Sequence, residues 1–457
     1  ALVRYWAGGR GYATRGDAAG NLVVAVPATA GRAGAPTVVL QAHLDMVCEK
    51  RPDVAFDFAT DAIRTRVDGG WVRADGTTLG ADNGIGVAAL LAVADDPEVA
   101  HGPLELLLTV EEEIGLTGAL ALDAGLVTGR LLLNLDSEDD SAFTIGCAGA
   151  ADTVACFAIE RRAATPATLP FSLAVRGLPG GHSGTAILAN PPNPLKVLAG
   201  HLAALLHGGV ELDLVRLDGG KSRNAIPRDA TAVLRLPAAQ VAAAQAIVAA
   251  RWEALAPALA EAAAAGARCD WEAGEESGAV EVMDAHDRDR LLDALLACPH
   301  GVAAMSRTVP GLVETSNNLA RVETAGREVS VAALSRSLAQ PALAEMAEQV
   351  AAGFRLAGAE IATAGGYPGW RPDLASPLLA AGRRAFGRLF GREPVLRAVH
   401  AGLECGILGA KIPGLAMLSF GPRIEGAHTP DERVEIASVA SFYRLLAALL
   451  DDLAPAA

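Results

Sequence analysis

Apolar runs set the rhythm of the N-terminal third. Residues 21–26 (NLVVAV) and 36–41 (PTVVLQ) are short, β-branched and nearly unbroken, the pattern of strands covered on both faces. Residues 88–95 read as a helix, 103–110 as a strand, 118–124 as a helix and 131–135 as a strand. Strand alternating with helix predicts a largely parallel α/β sheet. The middle of the chain differs, with strands expected at 153–161, 170–176 and 329–334 among helices over 238–264 and 340–356. After GGYPGW (365–370) the first style returns, as a helix over 377–390 and a strand over 416–420. The expected fold class is therefore α/β with two domains. Residues 1–150 and 367–457 form a discontinuous, mostly parallel-sheet domain, interrupted by an α/β insert over 151–366.

Composition narrows the function classes. Of 457 residues, 51% are hydrophobic and 20% charged, a globular balance. The formal net charge of −15 argues against a nucleic-acid partner, whose phosphates call for the opposite sign. Only four basic residues are lysine (Lys50, Lys196, Lys221, Lys411), which reads as codon bias rather than a phosphate-binding arginine code. Apolar runs such as 87–94 and 104–110 fall far short of the ~20 residues that span a bilayer, so no membrane association is expected. Six cysteines without CxxC spacing predict reduced thiols and a cytoplasmic location. The chain starts at Ala1 rather than methionine, and a natural N-terminus further upstream is expected.

The polar residues worth singling out stand where apolar strands stop, the place where open α/β sheets gather their sites. His43 and Asp45 follow the second strand; an H-x-D pair suits a metal-binding imidazole whose other nitrogen is held by a carboxylate, yet alone it is common. Glu111, Glu112 and Glu113 follow 103–110, and Asp136 follows 131–135. Adjacent acids repel unless solvated or neutralised by cations. TLGADNGIG (78–86) fits a dinucleotide fingerprint on paper, but it follows a turn instead of a strand, and Asp82 would repel a pyrophosphate. A carboxylate on a glycine-rich turn ahead of a helix is the better reading. GAHTPDE (426–432) adds His428 late in the chain. Each motif has a bland explanation singly. Jointly they supply two histidines and several carboxylates, a donor set that suits zinc, or manganese and cobalt in its place.

These motifs, together with VVLQAHLDMV (38–47), EEEIGLTGA (111–119), NLDSE (134–138), GGHSG (180–184), RNAIPR (223–228), VETS (313–316) and HAGLECG (400–406), resemble the metallopeptidase family of aminoacylases, carboxypeptidase G-type enzymes, tripeptidases and bacterial dipeptidases. Within it the likeness is to dipeptidases acting on aminoacyl-histidines. The resemblance implies two divalent ions bridged by Asp82, one completed by His43 and Asp136, the other by Glu113 and His428. Zn2+ is the expected metal, with Co2+ or Mn2+ as substitutes. Asp45 would orient His43, and a cis peptide is expected after Asp82. Glu112 would be the general base on water held between the ions, and His182 the histidine that stabilises the oxyanion. Arg336 and Asn224 resemble residues that grip the peptide carboxylate, and Glu404 and His400 are further candidates for substrate contact.

The resemblance also implies a small unblocked peptide as substrate, of the Xaa-His type such as β-alanyl-histidine, and a lid or dimerisation role for the insert. Homodimers occur among relatives with smaller lids. There the oxyanion histidine arrives from the partner subunit, whereas a double-sized lid is expected to supply His182 in cis. One departure stands out. Leu188 occupies the place of a second histidine after GGHSG, and three prolines (Pro191, Pro192, Pro194) follow, which leaves substrate preference open. Two alternatives remain at this point: an N-acyl amino acid amidohydrolase of the same family, and a non-catalytic peptide-binding protein.

Overall fold

The computed structural model describes residues 1–275 and 280–455, apart from the side chains of residues 261, 263, 264, 363 and 364. It divides into two compact units: Ala1–Cys147 with Pro368–Ala398 and Gly402–Ala457, and Ala148–Tyr367 with Val399–Ala401.

The first unit is built on an eight-stranded sheet. Its spatial order is Ala13–Gly16, Leu22–Val26, Leu104–Thr109, Val38–His43, Leu131–Asn134, Ala416–Ser419, Ala142–Cys147 and Val395–Val399. The four strands from Leu104–Thr109 to Ala416–Ser419 run parallel, while Ala13–Gly16 with Leu22–Val26, Leu22–Val26 with Leu104–Thr109, and Ala416–Ser419 with Ala142–Cys147 pair antiparallel. The parallel part is thus central and the sheet as a whole mixed. A buried apolar run looks the same in either direction, so sequence pattern could not separate the two. Alternation sorts the side chains between faces. Val38, Leu40 and Ala42 pack with Leu90 and Val93 of helix Ala81–Asp95, Phe386 of helix Pro377–Phe390 and Leu446 of helix Ile436–Leu453. Val39 and Leu107 face the other way, onto Leu122, Leu126, Leu408 and Ile412.

Local chemistry sets the element ends. Helix Pro377–Phe390 starts where Ser376 accepts the Leu379 N–H with Pro377 in the first turn, and it stops at Gly391, whose φ is 67°. A small four-stranded sheet, ordered Ile424–Glu425, Arg433–Glu435, Trp71–Ala74 and Thr65–Asp68, brings the loop carrying His428 beside the strand that leads to Asp82. No helix among the described residues is long and apolar enough to cross a membrane.

The second unit carries a nine-stranded antiparallel sheet in two halves. Arg268–Ala273, Thr168–Arg176, Ala230–Pro237 and Asp213–Gly219 make one; Val313–Ala325, Glu328–Ser337, Gly149–Ala158 and Glu360–Tyr367 make the other, with Gly301–Met305 alongside Val313–Ala325. The halves meet through a single backbone pairing, Gly219 with Val322. The proline-rich stretch after GGHSG does more than stiffen the chain. Asn193 accepts the Leu195 N–H and Pro194 sits in the first turn, so the segment starts helix Pro194–His207.

That helix buries His201 completely, and neither ring nitrogen has a hydrogen-bond partner among the described residues. Burial, aided by Arg251, lowers its pKa to about 4. The unfolded chain therefore takes up this proton first as pH falls. Stability from this site is complete above about pH 6.5 and is lost progressively down to about pH 4, by at most ~3 kcal/mol. Urea midpoints at pH 7 and pH 5 test this: His201→Leu is expected to shrink the difference between them.

Candidate active site

The parallel strands end at one edge, and their termini supply the site. His43 closes Val38–His43, Glu112 and Glu113 follow Leu104–Thr109, and Asp136 follows Leu131–Asn134. Glu111, the first acid of the triplet, turns away. Its φ is 55°, and its carboxylate accepts the Thr117 hydroxyl. Asp82 lies at the start of helix Ala81–Asp95, where Asp82 and Asn83 depart from helical geometry and the peptide between them is cis. Gly86 explains the second glycine of the turn: a Cβ there would lie 1.9 Å from Asn83 Oδ1 and 2.7 Å from the Leu135 carbonyl oxygen.

Two donor triplets share Asp82. His43 Nε2 is 3.1 Å from Asp82 Oδ1 and 3.2 Å from Asp136 Oδ1. His428 Nε2 is 3.2 Å from Asp82 Oδ2 and 3.1 Å from Glu113 Oε2. Such spacings approach the ~3.3 Å edge of a tetrahedron with ~2.0 Å bonds. One donor atom each from His43, Asp82 and Glu113 also falls within a mutual 4.8 Å. Among the described residues Glu113 Oε1 is buried without a hydrogen-bond partner, a costly state for a carboxylate oxygen unless a cation takes it. The donors thus fit two divalent cations.

Charge crowding is visible in the titrating groups. Burial, and then the Asp136 carboxylate, pushes Glu112 up to about 9. Hydrogen bonding to Asp82 and Glu113 pushes His428 up to about 10. Burial works to raise Asp45, but its partners outweigh it and hold the group at about 2. Those partners differ in part from the expected one. The Asp45 carboxylate accepts the backbone N–H groups of Glu112 and Glu113, both at 3.1 Å, while it lies 3.6 Å from His43 Nδ1. The nearer atom to that nitrogen is the Asp45 carbonyl oxygen, at 3.0 Å. Asp45 therefore pins the backbone of the two glutamates as well as facing the imidazole.

Glu404, a candidate for substrate contact, is instead sealed in the first unit. Its Oε2 accepts Gln41 Nε2 at 2.6 Å and the Thr109 hydroxyl at 2.7 Å, and burial raises it to about 7. Gln41 and Asn134 extend this network to Ser419. Glu432 is a residue that sequence reasoning quoted without a role. It is 2% exposed and accepts the backbone N–H groups of Leu79, Gly80, Ala81 and Asp82.

The remaining candidates belong to the second unit. His182 lies on the two-residue strand Gly181–His182, paired with Ala225–Ile226. Its Nδ1 accepts the N–H groups of Gly184 and Thr185 at 3.3 Å, and burial together with Arg336 lowers its pKa. Arg336 is 1% exposed and donates to Ser183 Oγ (3.2 Å), Tyr367 Oη (2.8 Å) and Asn224 Oδ1 (3.5 Å). Among the described residues it has no ion-pair partner, while nearby Asp152 pairs with Arg223. His400 is buried with Nε2 2.7 Å from Ser316 Oγ, and burial with Arg336 lowers it to about 4. Leu188 is half exposed in a 3-10 turn over Ile187–Ala189.

A model of peptidase family M20/M25/M40 matches residues 39–452, most of the chain. The chain belongs to this family. It is an enzyme, a hydrolase of a metallopeptidase family. It is 40% identical to the cytosol non-specific dipeptidase of Escherichia coli (strain K12), over 98% of this chain and 92% of that one. Among solved structures it matches the aminoacylhistidine dipeptidase of Vibrio alginolyticus with a TM-score of 0.89 and 39% identity, covering 100% of this chain and 92% of that one. The fold also matches aminopeptidase PepT of Bacillus cereus ATCC 10987, with a TM-score of 0.55 and 16% identity over 99% of this chain and 92% of the other.

The turn that presents Asp82 in this peptidase is tight at one glycine and open at another. Gly86→Ala is expected to destabilise by about 1–3 kcal/mol through overpacking against Asn83 and Leu135. Gly84 has open space around its Cβ position, so Gly84→Ala is expected to be neutral or to stabilise by up to ~1 kcal/mol. Chemical denaturation of both variants reads the contrast.

Proposed function

We propose that this peptidase is a two-metal dipeptidase acting on unblocked dipeptides, Xaa-His among them. The observation that carries the reading is Asp82, whose two oxygens each face a different imidazole, with a second carboxylate at matching distance from each imidazole. His43, Asp82 and Asp136 would hold one ion, and His428, Asp82 and Glu113 the other. This mixed nitrogen and oxygen set suits Zn2+, with Co2+ or Mn2+ as substitutes. When bound, such ions polarise a scissile carbonyl and lower the pKa of water. The names of the Escherichia coli and Vibrio alginolyticus relatives support the dipeptide substrate, and the former supports a cytoplasmic location.

Glu112 is the spare carboxylate, with no side-chain hydrogen bond among the described residues. Cations on the neighbouring donors favour its charged form, which makes it the base. It takes a proton from the attacking water and returns it to the leaving amine nitrogen. Because Nδ1 of His182 accepts two backbone N–H groups, the neutral ring carries its proton on Nε2. That N–H is the donor for the oxyanion. Arg336 is a buried guanidinium whose hydrogen-bond partners are all neutral, with Asp152 close by but paired to Arg223, a state that favours an incoming carboxylate; the free C-terminus of a dipeptide supplies one.

Glu112→Gln is expected to lower kcat by about 10² to 10⁴ while metal stoichiometry stays at two, read by steady-state kinetics and metal analysis. Hydrolysis of β-alanyl-histidine, alanyl-histidine and N-acetyl-histidine tests the substrate class. Turnover of the acetylated compound alone would make the chain an amidohydrolase, and turnover of none would favour a binding protein. Arg336→Met is expected to reduce kcat/KM on dipeptides by about 10- to 100-fold, largely through KM.

A further inference from the structure

Helix Ala81–Asp95 begins without a side-chain cap of its own. Its N-cap is Gly80, at φ 71°, where a Cβ would come within 2.7 Å of Met46 Sδ. The orphan N–H groups at this end are taken by a residue some 350 positions away. Glu432 Oε2 accepts Leu79 N–H at 2.7 Å and Gly80 N–H at 3.0 Å, and Oε1 accepts Ala81 N–H at 2.8 Å and Asp82 N–H at 3.3 Å. Both oxygens are thereby used, so Glu432 serves neither as a ligand nor as a base. A buried carboxylate at a helix N-terminus is also stabilised by the backbone dipoles there.

Glu432 closes the loop that carries His428. Thr429 N–H donates to the Gly426 carbonyl oxygen and Glu432 N–H to that of Thr429, which makes the segment a compact turn with His428 at φ 64°. One side chain thus ties the turn bearing Asp82 to the turn bearing His428. Strands Ile424–Glu425, Arg433–Glu435 and Trp71–Ala74 hold the two turns in register from the other side. The spacing of 3.2 Å between His428 Nε2 and Asp82 Oδ2 follows from this double attachment.

We propose that Glu432 is a positioning residue that presets the Asp82–His428 pair, and that it acts on one of the two metal positions and much less on the other. The inference rests on the reading in which Asp82, Glu113 and His428 hold one ion. Asp82 is common to both positions, but His43 and Asp136 come from the main sheet and do not depend on the tie, so one position has a single ligand held by Glu432 and the other has two, Asp82 and His428. In Glu432→Gln one acceptor oxygen becomes an amide that confronts N–H donors, so at least two of the four bonds are lost.

The test uses the full chain, stripped of metal and titrated with Zn2+ against a chromophoric chelator. Wild type is expected to take two ions. Glu432→Gln is expected to weaken the ion held with His428 by about 10- to 100-fold and the ion held with His43 by at least about threefold less than that. In the metal-free protein, amide hydrogen exchange over residues 76–86 is expected to quicken by about tenfold. Glu432→Asp, which keeps the charge but retracts it by one methylene, is expected to fall between the two, and it carries the same comparison if Glu432→Gln does not fold. Unchanged affinities, equal weakening of both ions or unchanged exchange over 76–86 would overturn the proposal. If wild type takes fewer than two ions, the two-metal reading fails instead, and the exchange measurement still decides whether Glu432 fixes the turn.

Discussion

One carboxylate, Asp82, held between two imidazoles is the contact around which the first unit's site is organised. Asp136, Glu112 and Glu113 crowd the same strand ends, and like charges at such distances in a poorly solvated place are strongly unfavourable. The same crowding raises Glu112, through burial and the Asp136 carboxylate, and hydrogen bonds to Asp82 and Glu113 raise His428. Protons and divalent cations compete for the same donors, so the arrangement is poised to exchange one for the other. The scaffold tolerates the crowding because the strands beneath are buried on both faces, which leaves their ends little freedom to splay.

The second unit has the opposite problem. Arg336 is a buried cation whose hydrogen-bond partners are a serine, a tyrosine and an asparagine, while the nearest carboxylate acting on it, Asp152, is already paired with Arg223. A structural role would have favoured a paired arginine, as with Arg223 and Asp152 nearby.

Much of this was legible in the residues. Long buried strands such as Val38–His43 and Leu104–Thr109 announce themselves through unbroken apolar runs, and an acid or histidine at the end of such a run is conspicuous. Strand direction was less legible, because Ala142–Cys147 looks like its parallel neighbours until its partner is known. The supporting residues were hidden for a related reason. Glu432 and Asp45 act on backbone N–H groups, which carry no residue identity, so nothing in their own surroundings marks what they hold. Glu404 entered as a candidate for substrate contact through the resemblance alone, and Gln41 and Thr109 bind it inside the unit.

The order in which the chain is made bears on when it can act. Asp82, Glu113 and Asp136 follow His43 within a hundred residues, but His428 comes only after the whole second unit has been synthesised. If the proposed triplets hold the ions, a nascent chain emerging from the ribosome carries the residues of one and lacks the histidine of the other. On the two-metal reading proposed above, hydrolytic competence would arrive as a late event of translation, and a product that stops before residue 428 would be left without it.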